Sequence, residues 1–399
     1  MLAQLREVPL FFYTEQVVKA LVSGYIPTAI KGSKIDIGPM NTSISGNAVE
    51  GMRFRAGATT TTHLNDRLFA DGYVAYGTKD DKLKYSAGVE YSFIDKKEHP
   101  NEFPVHSLRA EYQYDINQLG QHYLYTNMDN MFLSIKRKKD DRITYLRKAE
   151  LSYNREYQSG LSYGATLRHK TESATSYVPF IETSSDGMIR PVIDYSMTEM
   201  EFRLRFAPGE KFYQTRNHRI PITFDAPVFT LSRVVARKGL MGTDYNYNRT
   251  DFGFQKRVWF SAYGYTDIIL KAGKIWDKVP FPLLMIPNAN LSYTIQYESY
   301  ALMNAMEFLN DQYLSWDVTY FVNGALLNRI PLIKELRWRE VLSFRGLYGD
   351  LSDKNNPAYS DGLYLFPEGS YKMENKPYME VGVGVENIFR FLRFDYVWR

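Results

Sequence analysis

The stretch KLKYSAGVEYSF, residues 82–93, decides the fold. Leu83, Tyr85, Ala87, Val89, Tyr91 and Phe93 fall on one side of an extended chain, and Lys82, Lys84, Ser86, Gly88, Glu90 and Ser92 fall on the other. The same split recurs in SLRAEYQYD (107–115), EMEFRLRF (199–206) and MEVGVGVE (379–386). Strands of a soluble sandwich also alternate, but they average about 5 to 6 residues. Here many runs extend to about 10 to 13 residues, the length a tilted strand needs to cross a hydrocarbon layer. The polar face carries charge of both signs, as a water-filled lumen allows. The alternation therefore predicts an all-β fold: a transmembrane, antiparallel, up-and-down β-barrel.

Composition agrees with that class. The 399 residues include 32 Tyr and 24 Phe against 5 Trp, which suits strands ending at a membrane–water interface. Tyr76, Tyr91, Phe93, Tyr114, Tyr153, Tyr157 and Trp398 are the expected girdle. No run approaches about 18 apolar residues, so a transmembrane helix is excluded. A mean hydropathy of -0.38 is no obstacle, because a barrel strand needs only every second residue apolar. Cysteine is absent, which removes disulfides, thiolate metal sites and cysteine nucleophiles together. The 49 basic and 45 acidic residues are interspersed, so no nucleic-acid partner is expected.

Runs and turns together predict strands near 49–62, 66–77, 82–94, 105–115, 130–138, 143–157, 160–172, 195–207, 226–237, 250–260, 263–275, 312–323, 336–349, 377–388 and 391–399. Single-chain bacterial barrels have even strand counts. About 15 strands of an expected 16 are thus present, the simplest repair being a last strand beyond Arg399. A seam between 49–62 and 391–399 is then expected. Residues 49–399 form the barrel. Residues 1–48 form a linker or lumen or periplasmic segment, with a short helix over Thr14 to Ser23. Met1 to Tyr13 is no secretory signal, so the start belongs to a mature or shortened chain. Loops 94–104, 172–194, 276–311 and 350–376 are placed outside the cell. The turns 78–81, 158–159, 261–262 and 388–390 are placed in the periplasm, with 116–129, 208–225 and 324–335 as exceptions to the short-turn rule.

Several segments carry a resemblance: NAVEGMRFRAGATTT, GYVAYGTKDDKLKYSAGVEYSF, TDIILKAGKIWDKVPFPLL, EFLNDQYLSWDVTYFVNGALLNRIPLIKELRWREV, and LYGDLSDKNNP with VGVENIFRFLRFDYVWR. From about residue 36 onward the chain resembles a Bacteroidota family of outer-membrane proteins of unknown function. Full-length members carry a carboxypeptidase-regulatory-like domain ahead of the barrel. The resemblance implies an outer-membrane location, an absent N-terminal domain and a truncated C terminus. The end, VGVGVENIFRFLRFDYVWR, is also similar to the penultimate strands of BamA-type surface-antigen barrels, which assemble or translocate proteins or move lipids. Those barrels carry an Arg-Gly-aromatic tip in a long loop. Here residues 276–311 contain no Arg, and Arg345-Gly346 lies in a later strand.

Chemistry is sparse. His63, His99, His106, His122, His169 and His218 show no metal-ligand spacing, so no metal, cofactor or catalytic residue is assigned. His106 and Ser107 are adjacent on a strand, where neighbours point oppositely, and cannot meet as a hydrolase pair. The run KRKKDDR, Lys136 to Arg142, reads as a solvated hairpin tip, with attraction of lipid A phosphates as the sharper alternative. The glycines of VGVGVE are expected to let a neighbouring segment approach the wall. Arg109, Glu111, Arg203, Arg205, Arg345, Glu380, Arg393 and Asp395 are the lumen-facing candidates, joined by Glu150, Glu199 and Glu201. Salt-bridged ladders are their expected role. The expected function is envelope transport or assembly, non-enzymatic, in the bacterial outer membrane. Its partners are outer-membrane lipids including lipopolysaccharide, together with periplasmic or envelope proteins. The alternative is a passive pore or an anchor for a periplasmic domain, and the third option is an outer-membrane hydrolase.

Overall fold

The computed structural model describes residues 24–29, 32–124, 127–183, 188–215 and 219–399. The expected helix over Thr14 to Ser23 lies outside these residues. One antiparallel sheet dominates. Its first wall strand, β1, is interrupted and consists of Ile35–Ile37, against which the two-residue strand Ile26–Pro27 pairs, and Ile44–Asn47. There follow β2 (Gly51–Thr60), β3 (Leu68–Gly77), β4 (Leu83–Ser92), β5 (His106–Gln118), β6 (Ile143–Glu156), β7 (Leu161–Ser173) and β8 (Asp194–Phe206). The second half comprises β9 (Val228–Ala236), β10 (Tyr247–Trp259), β11 (Tyr265–Ile275), β12 (Gln312–Phe321), β13 (Arg339–Asp350), β14 (Tyr378–Ile388) and β15 (Leu392–Trp398). Every strand pairs with the next, the up-and-down order of a barrel wall.

Two corrections to the strand list offset each other. Residues 130–138 are not a wall strand. Met131–Ser134 form a 3₁₀ turn capped by the Asn130 side chain, which accepts from the Phe132 N–H, and Lys136 makes only an isolated bridge to Ser292. Met131, Phe132 and Leu133 are consecutive apolar residues, so they do not alternate as a wall strand must. Conversely, residues 35–47 are not a free linker, because both pieces of β1 pair with β2. Residues 49–62 are therefore not the sheet's edge. The break in β1 falls at Pro39, which has no N–H for the ladder. The Gly38 N–H donates to the Gly57 carbonyl, and the Arg55 N–H to the Ser43 carbonyl, so pairing resumes beyond the bulge. Gly57 permits this approach, since a Cβ there would stand 2.7 Å from the Gly38 carbonyl oxygen.

Removing a strand at 130–138 changes the parity of every turn before residue 143. The turns at 78–82 and 48–50 now share an end with the long loops 119–142, 174–193, 276–311 and 351–377. The opposite end holds 61–67, 93–105, 157–160, 207–227, 260–264, 322–338 and 389–391. The expected sides of 78–81 and 94–104 are thus exchanged. The expected exception at 116–129 disappears into a long loop on the long-loop end.

The wall has an apolar outer face and a polar inner one. In β4, Leu83, Val89 and Tyr91 are exposed while Lys84, Glu90 and Ser92 are buried. The same exposure marks Phe202, Leu204, Phe229, Leu231, Phe252, Leu314, Phe344, Val381 and Val383. The hydrophobic core lies at the long-loop end. Leu119, Val178, Phe180, Val279, Phe281, Leu283 and Met306 from the loops pack on Tyr195, Met197 and Tyr247 of the wall. A second cluster joins Ala289, Leu291, Tyr300 and Met303 to Leu347 and Tyr378. Phe180–Thr183, Ile189–Val192 and Leu363–Tyr364 add a small sheet to this cap.

Candidate functional site

The inner face carries ion pairs organised by strand register. Arg109 of β5 reaches Asp71 at 2.5 Å and Glu111 at 3.0 Å, and Glu111 also holds Lys148 at 3.0 Å. Arg168 of β7 bridges Glu150, Glu199 and Glu201 on the strands flanking it. Arg203 pairs with Glu201 at 2.8 Å, and Arg205 with Glu210 at 2.7 Å. Arg393 pairs with Asp395 at 2.8 Å. Alternation alone brings these side chains to one face, and one-to-one register places opposite charges within reach.

Arg345 and Glu380 engage a loop instead of completing a ladder. Arg345 holds Asp317 at 3.0 Å and also donates to the Ser299 carbonyl at 3.1 Å. The Glu380 carboxylate, 2 % exposed, accepts from the Ala301 and Leu302 N–H groups at 2.7 and 2.6 Å and from the Tyr378 hydroxyl. Between these two anchors the Tyr300 hydroxyl donates to the Gly346 carbonyl at 2.8 Å. Loop 276–311 thus folds inward, against the inner wall of β13 and β14.

The run 136–142 is not a solvated tip. Arg137 donates to the Asn290 and Ala301 carbonyls, Lys138 to those of Leu302 and Met303, and Arg142 to that of Glu368. Arg137, Lys138 and Arg142 strap one long loop to two others, while Lys136 and Lys139 pair within their own loop with Asp140 and Asp141. Asn288 joins the same assembly, its side chain accepting from the His122 N–H and donating to the His122 carbonyl.

Beneath this cap lies a cavity of about 500 Å³ lined by His122, Lys170, Arg249, Lys271 and Arg345 together with Leu283, Leu284 and Ile286. Burial, then the nearby Arg249 and Lys271 charges, holds the His122 imidazole below its ordinary pKa.

The most buried charge cluster is one that alternation alone does not single out. Arg53 is 0 % exposed and pairs bidentately with Asp115 at 2.6 and 2.8 Å. It also holds Glu50 at 3.0 Å, which in turn pairs with buried Lys84. Arg55 beside it pairs with Asp129 of the long loop. The available signal was the period-2 repeat Arg53, Arg55 facing Asp115 on the same polar face, but 62 residues separate Arg53 from its partner.

Other expected features take plain forms. His106 bonds the Tyr153 hydroxyl at 3.0 Å and packs against Phe93, while Ser107 is buried on the opposite face of β5. The space at Gly382 and Gly384 is filled by the side chains of Ser343 and Asp395 on adjacent strands, not by another segment. Among the described residues no group of three or more His, Asp or Glu side chains is arranged to hold a metal. No described helix is long and apolar enough to cross a membrane, which says nothing of strands.

A sheet of this order, polar within and apolar without, defines the chain as an antiparallel β-barrel. The crystal structure of BamA from Haemophilus ducreyi lacking POTRA domains 1–3 is similar to it, with a TM-score of 0.50 at 11% sequence identity, over 88% of this chain. The match spans 63% of that BamA chain. The chain belongs to the family of unknown function DUF5686, whose C-terminal domain matches residues 18–364. No curated protein matches its sequence.

Proposed function

We propose that this protein is an outer-membrane barrel with a role in envelope transport or assembly, and that loop 276–311 is its gate. The membrane location rests on the apolar outer face, since soluble monomers rarely expose contiguous apolar patches beyond a few hundred Å². A bilayer core is the environment in which such a face costs nothing. The three longest loops, 119–142, 276–311 and 351–377, share one end and then face outward from the cell. The observation that carries the gate is the inward fold of the loop onto Arg345, Gly346 and Glu380. A lumen built for passive diffusion needs no buried carboxylate holding a loop by two backbone amides.

Planar-bilayer conductance tests the proposal. Wild-type protein is expected to be mostly closed. Glu380→Gln, which weakens two charge-assisted hydrogen bonds of roughly 1.5–3 kcal/mol each, is expected to raise open probability at least several-fold. Arg345→Ala is expected to expose residues 298–303 to protease. Steady ohmic conductance in the wild type, or no change in either variant, would instead support a passive pore.

A further inference from the structure

We infer that the outer face of β4 to β6, at the long-loop rim, binds the phosphate groups of an anionic glycolipid. The inference rests on the outer-membrane reading and adds a ligand site to it. Most wall cations that form ion pairs point inward, whereas Lys82, Arg147, Arg155, Arg233, Lys256 and Lys274 have no ion pair among the described residues. Of these, Lys82 and Arg147 converge on one patch of tyrosines. Both are exposed, and among the described residues neither has an acidic partner. The adjacent acids are already engaged: Asp80 by Lys84 and the Tyr145 hydroxyl, and Asp81 by the Tyr76 hydroxyl.

Register explains why the two cations converge. Tyr85, Tyr114 and Arg147 form one cross-strand row, with Tyr145 one outward position nearer the rim. The Lys82 ammonium lies over the Tyr145 ring at 3.7 Å from its centroid, and the Arg147 guanidinium lies 5.5 Å from that of Tyr114. Those two rings stack at 6.3 Å, and Tyr85 adjoins Tyr114 at 6.1 Å. Two cations therefore flank a platform of tyrosines. That arrangement suits a sugar headgroup carrying phosphate at each end.

The depth is right for a headgroup. Arg155, eight residues along β6 on the same outward face, lies over Tyr157 at the opposite rim. Eight residues at about 3.3 Å each, tilted by about 40°, separate the two arginines by about 20 Å along the membrane normal. That is close to the apolar band of a barrel, about 25 Å tall. Ala149, Leu151 and Tyr153 lie between them, beside Leu108, Ala110 and Tyr112 of β5. Acyl chains would lie along this strip. Arg137, Lys138 and Arg142 are engaged with loop carbonyls, Lys136 with Asp140 and Lys139 with Asp141, so Lys82 and Arg147 are the better-placed pair for lipid phosphate.

The full chain, reconstituted in phosphatidylcholine nanodiscs doped with bis-phosphorylated lipid A, tests this by native mass spectrometry of retained lipid. Wild type is expected to retain lipid A, K82Q/R147Q to retain it roughly tenfold less, K82R/R147K to restore retention, and R155Q to match wild type. Equal retention by K82Q/R147Q and wild type, or equal retention of dephosphorylated lipid A, would overturn the inference. Heat-modifiable migration after reconstitution checks insertion separately. Insertion without lipid preference removes only this site, whereas failure of every form to insert removes the outer-membrane reading itself.

Discussion

At the residue scale the energetics concentrate in buried charge. Arg53 and Asp115 are 0 % and 1 % exposed at their side chains, so solvent screens neither. Truncating one member leaves the others desolvated and unpaired, a penalty of about 3–5 kcal/mol. Arg53→Ala is accordingly expected to lower unfolding stability by that amount in urea titrations of the reconstituted protein. Arg203→Ala, whose partner Glu201 is shared with Arg168 and whose own side chain is 57% exposed, is expected to change it by less than about 1 kcal/mol. The contrast was not legible beforehand. Both arginines alternate in the same way on their strands, and only the loop that covers Arg53 separates them energetically. His122 adds a dependence on pH. Its imidazole, shifted below its ordinary pKa, shares the cavity with Lys170, Arg249, Lys271 and Arg345 and with the acids Glu298 and Asp317. A base whose folded pKa is depressed stabilises the fold above its ordinary value, about 6.5, and loses that contribution as pH falls below it. Hydrogen exchange at 119–124 and 286–290 is expected to accelerate between pH 7 and pH 5 in the wild type but not in His122→Gln.

At the element scale the instructive errors are one strand too many and one too few. Alternation identified fourteen wall strands because the property being read, one apolar face and one polar, is what a wall strand requires. It admitted 130–138 because apolar and basic residues sit close together there, although their partners are loop carbonyls. It passed over 35–47 because Pro39 interrupts the period, and only pairing with Gly51–Thr60 shows that the two pieces are one strand. The strap at 136–142 yields a prediction. Arg137→Ala with Lys138→Ala removes four hydrogen bonds to loop 276–311. Limited proteolysis is expected to cut between residues 290 and 303 at least several-fold faster, with heat-modifiable migration of the barrel unchanged. Resistance equal to wild type would show that the loop is held by Arg345 and Glu380 alone.

At the scale of the whole molecule, wall and cap follow different rules. The wall obeys a local rule of period two, so its existence, its length scale and the placing of Arg109, Glu111, Arg203, Arg205, Arg345, Glu380, Arg393 and Asp395 on its polar face follow from residue order. The cap obeys no local rule. Its core assembles Leu119, Phe180, Phe281 and Met306 from loops far apart in the chain, and hydrophobic burial is indifferent to sequence distance. The same holds for charge. Which carboxylate each cation meets depends on register and loop path, so Glu380 as a loop anchor and Lys82 and Arg147 as rim cations set on tyrosine rings emerged only from the tertiary structure. Residue order by itself determined a barrel with a charged interior. Tertiary structure decided which end carries each turn, that the interior is covered, and where the cover is fastened, because those are long-range contacts that alternation does not encode.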